Sequence, residues 1–112
     1  MNSPVKTYSL NRHLVCEIHS NALTIFNFNE ISSLCSGTLK EQGVRSVIVD
    51  LGKVEMIDSV GVGLLARMKK HLEEKGTRMS ICCVTDGVHQ VFRLLDFHRR
   101  FDIYPTVHEA AA

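Results

Sequence analysis

One hydroxyl group is placed where it could carry a charge-bearing modification. In the run Ile57-Asp58-Ser59-Val60-Gly61-Val62-Gly63-Leu64-Leu65, a serine follows a carboxylate and precedes two glycines. Beyond it, Gly61, Leu64, Leu65, Met68 and Leu72 fall at i, i+3, i+4, i+7 and i+11, one face of a helix. Ser59 is therefore expected at the mouth of that helix, as its N-cap. The first turn of a helix leaves N–H groups without partners, and aligned peptide dipoles put partial positive charge there. A phosphoryl group on Ser59 would bring about −1.5 to −2 charges and three acceptor oxygens to that end. Asp58 would repel it, so the fold could tolerate the charge without being built around it. The plain role of such a serine is a cap, and the two roles are compatible. A glycine inside a helix costs roughly 0.8–1.0 kcal/mol against alanine. Gly61, on the apolar stripe, would let the helix approach a sheet. Gly63, on the other side, would let a second protein come close to the backbone.

The remaining reactive side chains do not assemble into a site at the level of sequence. Cys16, Cys35, Cys82 and Cys83 show no C-x-x-C spacing. Cys82 and Cys83 are expected in a strand, pointing to opposite faces and unable to share a tetrahedral metal. The four read as buried thiols acting as small hydrophobes. His13, His19, His71, His89, His98 and His108 have no metal spacing. No cysteine is linked by pattern to a histidine as a nucleophile pair. Gly61-Val62-Gly63 lacks the last glycine of a G-x-G-x-x-G phosphate loop. The sequence thus assigns no catalytic residue and no cofactor, and the reading is not that of an enzyme. The run His98-Arg99-Arg100 reads as solvated charge.

The elements that must hold Ser59 follow from hydrophobic periodicity. Val47, Ile48 and Val49 form a short apolar run that suits a strand buried on both faces. Ahead of it, Lys6 to Leu10 and the alternation of Leu14, Cys16 and Ile18 with Val15, Glu17 and His19 predict a hairpin turning at Asn11–Arg12. The second strand of this hairpin is expected to bury one face only. Ser20 to Phe26 reads as a loop. Asn27 with Glu30 matches a capping box for a first helix with Ile31, Leu34, Cys35 and Leu39 inward, ending at Gly43. Ile25, Phe26 and Phe28 are expected in the core; the other reading is an exposed apolar loop, which would mark a protein contact. The Ser59 helix should end at Gly76, with Arg67, Lys70, Glu73 and Glu74 on its outer face. Met79 to Val84 predicts another buried strand. Asp86 is expected to cap a third helix with Val88, Val91, Phe92 and Leu95 inward. A short strand over Phe101 to Tyr104 and a stub of helix from Thr106 to Ala112 complete the chain. Strand–helix alternation predicts an α/β domain, 1–112, whose mixed sheet joins a leading hairpin to parallel strands, packed with about four helices.

Composition bounds the class. The chain has 112 residues, 45% hydrophobic, enough for one domain with a core and too few for two. A formal net charge of +1 gives no electrostatic case for direct nucleic-acid binding. No apolar run approaches the roughly 20 residues of a membrane-spanning helix. Met-Asn-Ser-Pro-Val-Lys does not resemble a signal peptide. A cytoplasmic location is expected.

With these residues in view, Ile57 to Leu65 resembles the D-S-[ST/A]-G-x-G-x-L signature of STAS domains, in particular anti-sigma factor antagonists. Val47 to Leu51 resembles the strand before that signature, Gly76 to Val84 the strand after it, and Val88 to Phe101 the third helix of the family. The resemblance implies that Ser59 is phosphorylated by a partner that is both a serine kinase and an anti-sigma factor. It implies that the unphosphorylated form binds this partner, which releases its sigma factor, and that a PP2C-type phosphatase resets the cycle. Asp58, Ser59, Val60, Gly61 and Gly63 would belong to the docking surface. One departure is that many antagonists carry a G-x-L-D motif before the first helix. The matching region here, Ser20-Asn21-Ala22-Leu23-Thr24, has no Asp. That departure motivates an alternative: a non-phosphorylated accessory subunit bound to the ATPase or another component of a lipid or anion transporter complex.

Overall fold

In the computed structural model, the backbone is described for residues 3–112, and the side chains for the same residues except 40–42. Met1 and Asn2, part of the expected domain, lie outside the described residues. The leading hairpin forms as the alternation predicts, with β1 (Val5–Leu10) antiparallel to β2 (His13–Ile18). Asn11 and Arg12 turn it with φ of 48° and 69°. Two consecutive left-handed residues match the right-handed twist of the strands they join.

Three further strands complete the sheet. β2 pairs in parallel with β4 (Ser46–Asp50), β4 with β6 (Arg78–Cys82), and β6 with β7 (Asp102–Tyr104). The five-stranded order is β1-β2-β4-β6-β7, a mixed sheet with a parallel body. The connections are helices α1 (Ile25–Gln42), α2 (Ser59–Glu74) and α3 (Asp86–Leu94), and a short α4 (Val107–Ala110) ends the fold. Leu14, Cys16, Ile18, Val47, Val49, Met79 and Ile81 face the larger core, with Phe28, Ile31, Val62, Leu65, Met68, Val88 and Phe92 from the helices. Gly43 and Gly76, at φ of 66° and 83°, end the turns after α1 and α2, where a side chain would be strained.

The structure corrects several expectations. The second strand of the hairpin is buried on both faces. Val15 is wholly buried with Ile48, Cys82 and Ala111 in a second core on the far side of the sheet. The stub α4 supplies its cover, which a period-two pattern in β2 alone cannot reveal. Ser20 to Phe26 is not simply a loop. Ala22–Leu23 forms strand β3, parallel to β5 (Met56–Ile57), and α1 begins at Ile25. The cap of α1 is Thr24, which accepts from the Phe26 N–H at 3.2 Å, while the Asn27 side chain accepts from the Thr24 N–H at 2.9 Å. Asn27 therefore closes the capping box from the third helical position instead of opening it. Phe28 is buried, but Ile25 and Phe26 are exposed. Thr85, not Asp86, is the N-cap of α3, and Leu95, just past its end, is exposed.

The cysteines divide. Cys16 and Cys35 are buried and hydrogen-bonded to one another, and that bond, with burial, pushes the Cys16 thiol pKa up. Such a thiol stays protonated and packs as a small hydrophobe. Cys82 and Cys83 do not point to opposite faces. Cys83 takes φ of 61° as the strand ends, which breaks the alternation and keeps the two sulfurs together.

Candidate functional site

Ser59 is presented by a short connection that three elements hold in place. Past β4, Leu51 and Val54 are fully buried anchors, and the Val54 N–H closes a turn onto the Leu51 carbonyl at 3.0 Å. The Thr85 hydroxyl, at the start of α3, donates to the Val54 carbonyl at 2.7 Å. The Asn21 carbonyl accepts from both Glu55 and Met56, at 2.8 and 3.0 Å, ahead of the β3–β5 pairing. A side chain at Gly87 would put its Cβ 2.7 Å from the Glu55 carbonyl oxygen, so α3 fits here only with glycine. These bonds and buried anchors hold the connection, so the serine is offered from a fixed base.

The helix opens one residue before the expected position. Asp58 is the N-cap, with φ −104° and ψ 177°, and its Oδ1 accepts from the Gly61 N–H at 2.7 Å. The Asp58 carbonyl accepts the first helical bond, from the Val62 N–H at 3.0 Å. Ser59 is the first residue inside the helix, so its hydroxyl is not needed for capping. It is exposed, and among the described residues it has no hydrogen-bond partner. The N–H groups of Ser59 and Val60 likewise have no acceptor among the described residues. Two free donors and the positive helix end therefore surround a free hydroxyl.

The five residues expected at the site occupy the same two turns but not the same surface. Asp58, Ser59 and Val60 are exposed, Gly63 is half-buried and Gly61 is buried. A Cβ at Gly61 would lie 2.6 Å from the Leu23 carbonyl oxygen and 2.8 Å from Ile57 Cγ1. Gly61 thus sets the depth at which α2 seats on β3 and shapes the site from beneath. A Cβ at Gly63 would meet nothing within 4 Å.

The structure brings apolar residues to the site, of which sequence reasoning had singled out Ile25 and Phe26 but not Met56. Met56 on β5 is 69% exposed and Phe26 in the first turn of α1 is 95% exposed. With Ile25 and Val60 they put four exposed apolar side chains at the end of the fold where β3, β5 and the starts of α1 and α2 meet. Exposed apolar side chains gathered at one end of a fold make a candidate surface for protein contact. The available signal was Ile25-Phe26 next to a turn; Met56 gave none, because a two-residue strand has no readable period. Thr24 follows Leu23 as the acidic residue follows the leucine in the G-x-L-D motif, and it is spent on capping α1.

Among the described residues, no helix is long and apolar enough to cross a membrane. A family model of the STAS domain matches residues 5–110. The anti-sigma F factor antagonist of Paenibacillus polymyxa is 30% identical over 67 residues, which are 60% of this chain and 55% of that protein. The matched stretch therefore spans about half the length of that relative. An anti-sigma-factor antagonist (STAS) domain protein from Planctomyces limnophilus superposes with a TM-score of 0.78 at 21% identity, over 96% of this chain and 94% of that one. The phosphorylated form of a Bacillus cell fate determinant superposes with a TM-score of 0.66 at 19% identity, over 95% of each chain. At such identities these two structures speak for the fold. With the family match covering nearly every described element, from β1 through α4, the chain belongs to the STAS domain family.

Proposed function

We propose that this protein is an anti-sigma factor antagonist switched by phosphate on Ser59. In its unphosphorylated form it binds an anti-sigma factor that is also a serine kinase, and the sigma factor is released. The kinase then transfers a phosphoryl group to Ser59 Oγ, and a PP2C-type phosphatase removes it. The chain itself is a binding module in this scheme, and Asp58, Ser59, Val60 and Gly63 lie on the contacted surface with Phe26 and Met56.

The observation that carries the reading is the free, exposed Ser59 hydroxyl at the first position of a 16-residue helix, beside exposed apolar side chains. The two states differ in charge, and charge acts differently on the fold and on the complex. A phosphate at this end meets two free N–H groups and the helix dipole, which favours it by about 0.3–1 kcal/mol. It opposes Asp58, so the effect on the fold is small. In a complex the same dianion would be pressed against a partner seated on Phe26, Met56 and Val60, and burying it unpaired costs far more. The relative from Paenibacillus polymyxa, named for antagonism of an anti-sigma factor, and the phosphorylated Bacillus structure support this direction.

Incubation with the kinase-type partner and ATP, followed by peptide mass spectrometry, should place one phosphate on Ser59 and none in Ser59→Ala. Calorimetry should find that Ser59→Asp binds the partner about a hundredfold more weakly, about 2.7 kcal/mol, with its urea midpoint close to that of wild type. Undiminished labelling of Ser59→Ala, or equal affinity of Ser59→Asp, refutes the switch. Capture of a transporter ATPase subunit with no kinase would point instead to the accessory-subunit role.

A further inference from the structure

A second group of reactive side chains lies at the carboxyl end of the parallel strands, on the face covered by α4. Asp50 ends β4 and Cys82 ends β6, and the two are register partners, so their side chains share a face. Cys83 would turn to the other face in a continuing strand. Its left-handed φ of 61° keeps it on this one, held by its N–H on the Tyr104 carbonyl at 3.1 Å. The result is one carboxylate oxygen and two sulfurs, all within 4.8 Å of one another. It is the one such grouping of three His, Cys, Asp or Glu ligand atoms among the described residues.

The surroundings suit a bound cation. Asp50 and Cys82 are buried, whereas Cys83 is half-buried and opens the group to solvent on one side. Cys82 belongs to the smaller core, against which Cys83, Tyr8, Tyr104 and Val107 pack. The Gly52 N–H donates to Asp50 Oδ1 at 2.9 Å and fixes the carboxylate. A Cβ at Gly52 would lie 3.1 Å from Asp50 Oδ1 and 3.4 Å from Cys83 Cβ, so glycine leaves the carboxylate and thiol room to meet.

We propose that Asp50, Cys82 and Cys83 bind one thiophilic divalent cation of the zinc class. Two thiolates and a carboxylate are soft and borderline donors that select zinc-like ions over magnesium or calcium. Three protein ligands leave a fourth tetrahedral position, on the open side at Cys83, for water. Ligands at about 2.3 Å (sulfur) and about 2.0–2.2 Å (oxygen) from one ion lie within about 4 Å of each other. Small side-chain rotations therefore close the observed group onto a cation. On binding, the two S–H bonds break heterolytically, both protons pass to solvent, and two metal–sulfur bonds form with no change of oxidation state. Three ligand charges then balance the ion to a net charge of −1. The Gly52 N–H on Asp50 Oδ1 becomes an outer hydrogen bond to that ligand. This inference does not rest on the proposed switch at Ser59.

The test is a titration of the reduced full chain with Cd2+, read by the ultraviolet thiolate-to-cadmium band. The band should saturate at one ion per chain. Cys83→Ser and Asp50→Asn should each weaken binding tenfold or more, and Cys35→Ala should leave it unchanged. A measurement on the wild-type chain guards against misfolded variants: Zn2+ should slow iodoacetamide labelling of Cys83, mapped by mass spectrometry, at least tenfold, and Mg2+ should not. A labelling rate indifferent to saturating Zn2+, or a cadmium band unmoved by both ligand substitutions, overturns the site.

Discussion

Adding one methyl group at Gly61 and at Gly63 should give opposite results, although the two positions are one turn or less apart on α2. A Cβ at Gly61 would stand 2.6 Å from the Leu23 carbonyl oxygen, 2.8 Å from Ile57 Cγ1 and 3.3 Å from Asp58 Oδ1. The first of these is backbone of β3, pinned by its pairing to β5, so it cannot swing aside. Overpacking of this kind costs about 3 kcal/mol at the upper part of its usual range. Alanine recovers about 1 kcal/mol of helix propensity. Gly61→Ala should therefore lose about 2 kcal/mol net, which for a domain of this size lowers Tm by about 8 °C. At Gly63 the same methyl meets nothing within 4 Å, so only the propensity gain remains. Gly63→Ala should be more stable than wild type by about 0.5–1 kcal/mol. Urea unfolding followed by far-ultraviolet circular dichroism measures both. If Gly61→Ala unfolds at the wild-type midpoint, or Gly63→Ala falls as far as Gly61→Ala, the account of how α2 seats on β3 is wrong. The stabilised Gly63→Ala also probes the surface: a loss of partner affinity in a variant that folds better than wild type would mark close approach at that backbone.

Two further expectations concern charge. Asp58→Ala should cost about 1 kcal/mol in urea unfolding through loss of the cap on Gly61 N–H, whereas Ser59→Ala should stay within about 0.5 kcal/mol; equal losses would return the cap to Ser59. Glu17 accepts from His19 at 2.5 Å and lies 3.3 Å from Lys53. The His19 hydrogen bond, against burial and with help from Lys53, holds its carboxyl below the usual carboxylate range. A lowered folded pKa stabilises above the unfolded value of about 4.3, and that stability is lost as pH falls through the folded value. From about pH 6 to about pH 3, wild type should thus lose more stability than Glu17→Gln; parallel losses would remove Glu17 from the acid sensitivity.

The periodicities in the chain determined the identity and order of the long elements. Val47 to Val49, the i, i+3, i+4 stripe behind Ser59, and the glycines after α1 and α2 are local signals, and each has a local cause in side-chain direction or φ. They were enough to place Ser59 at a helix mouth and to expect a mixed α/β sheet. What depended on contacts distant in sequence was decided only by tertiary structure. Val15 is buried because α4 folds back over the far face from the other end of the chain. β3 and β5 exist because Asn21 and Met56 meet across α1 and β4, and two residues carry no period. Caps hinge on the backbone angles of single residues, so Asp58 and Thr24 took the places assigned to Ser59 and Asn27. Cys83 keeps its sulfur beside Cys82 because the Tyr104 carbonyl holds its N–H as the strand ends, a constraint that neighbouring residues in the sequence do not contain.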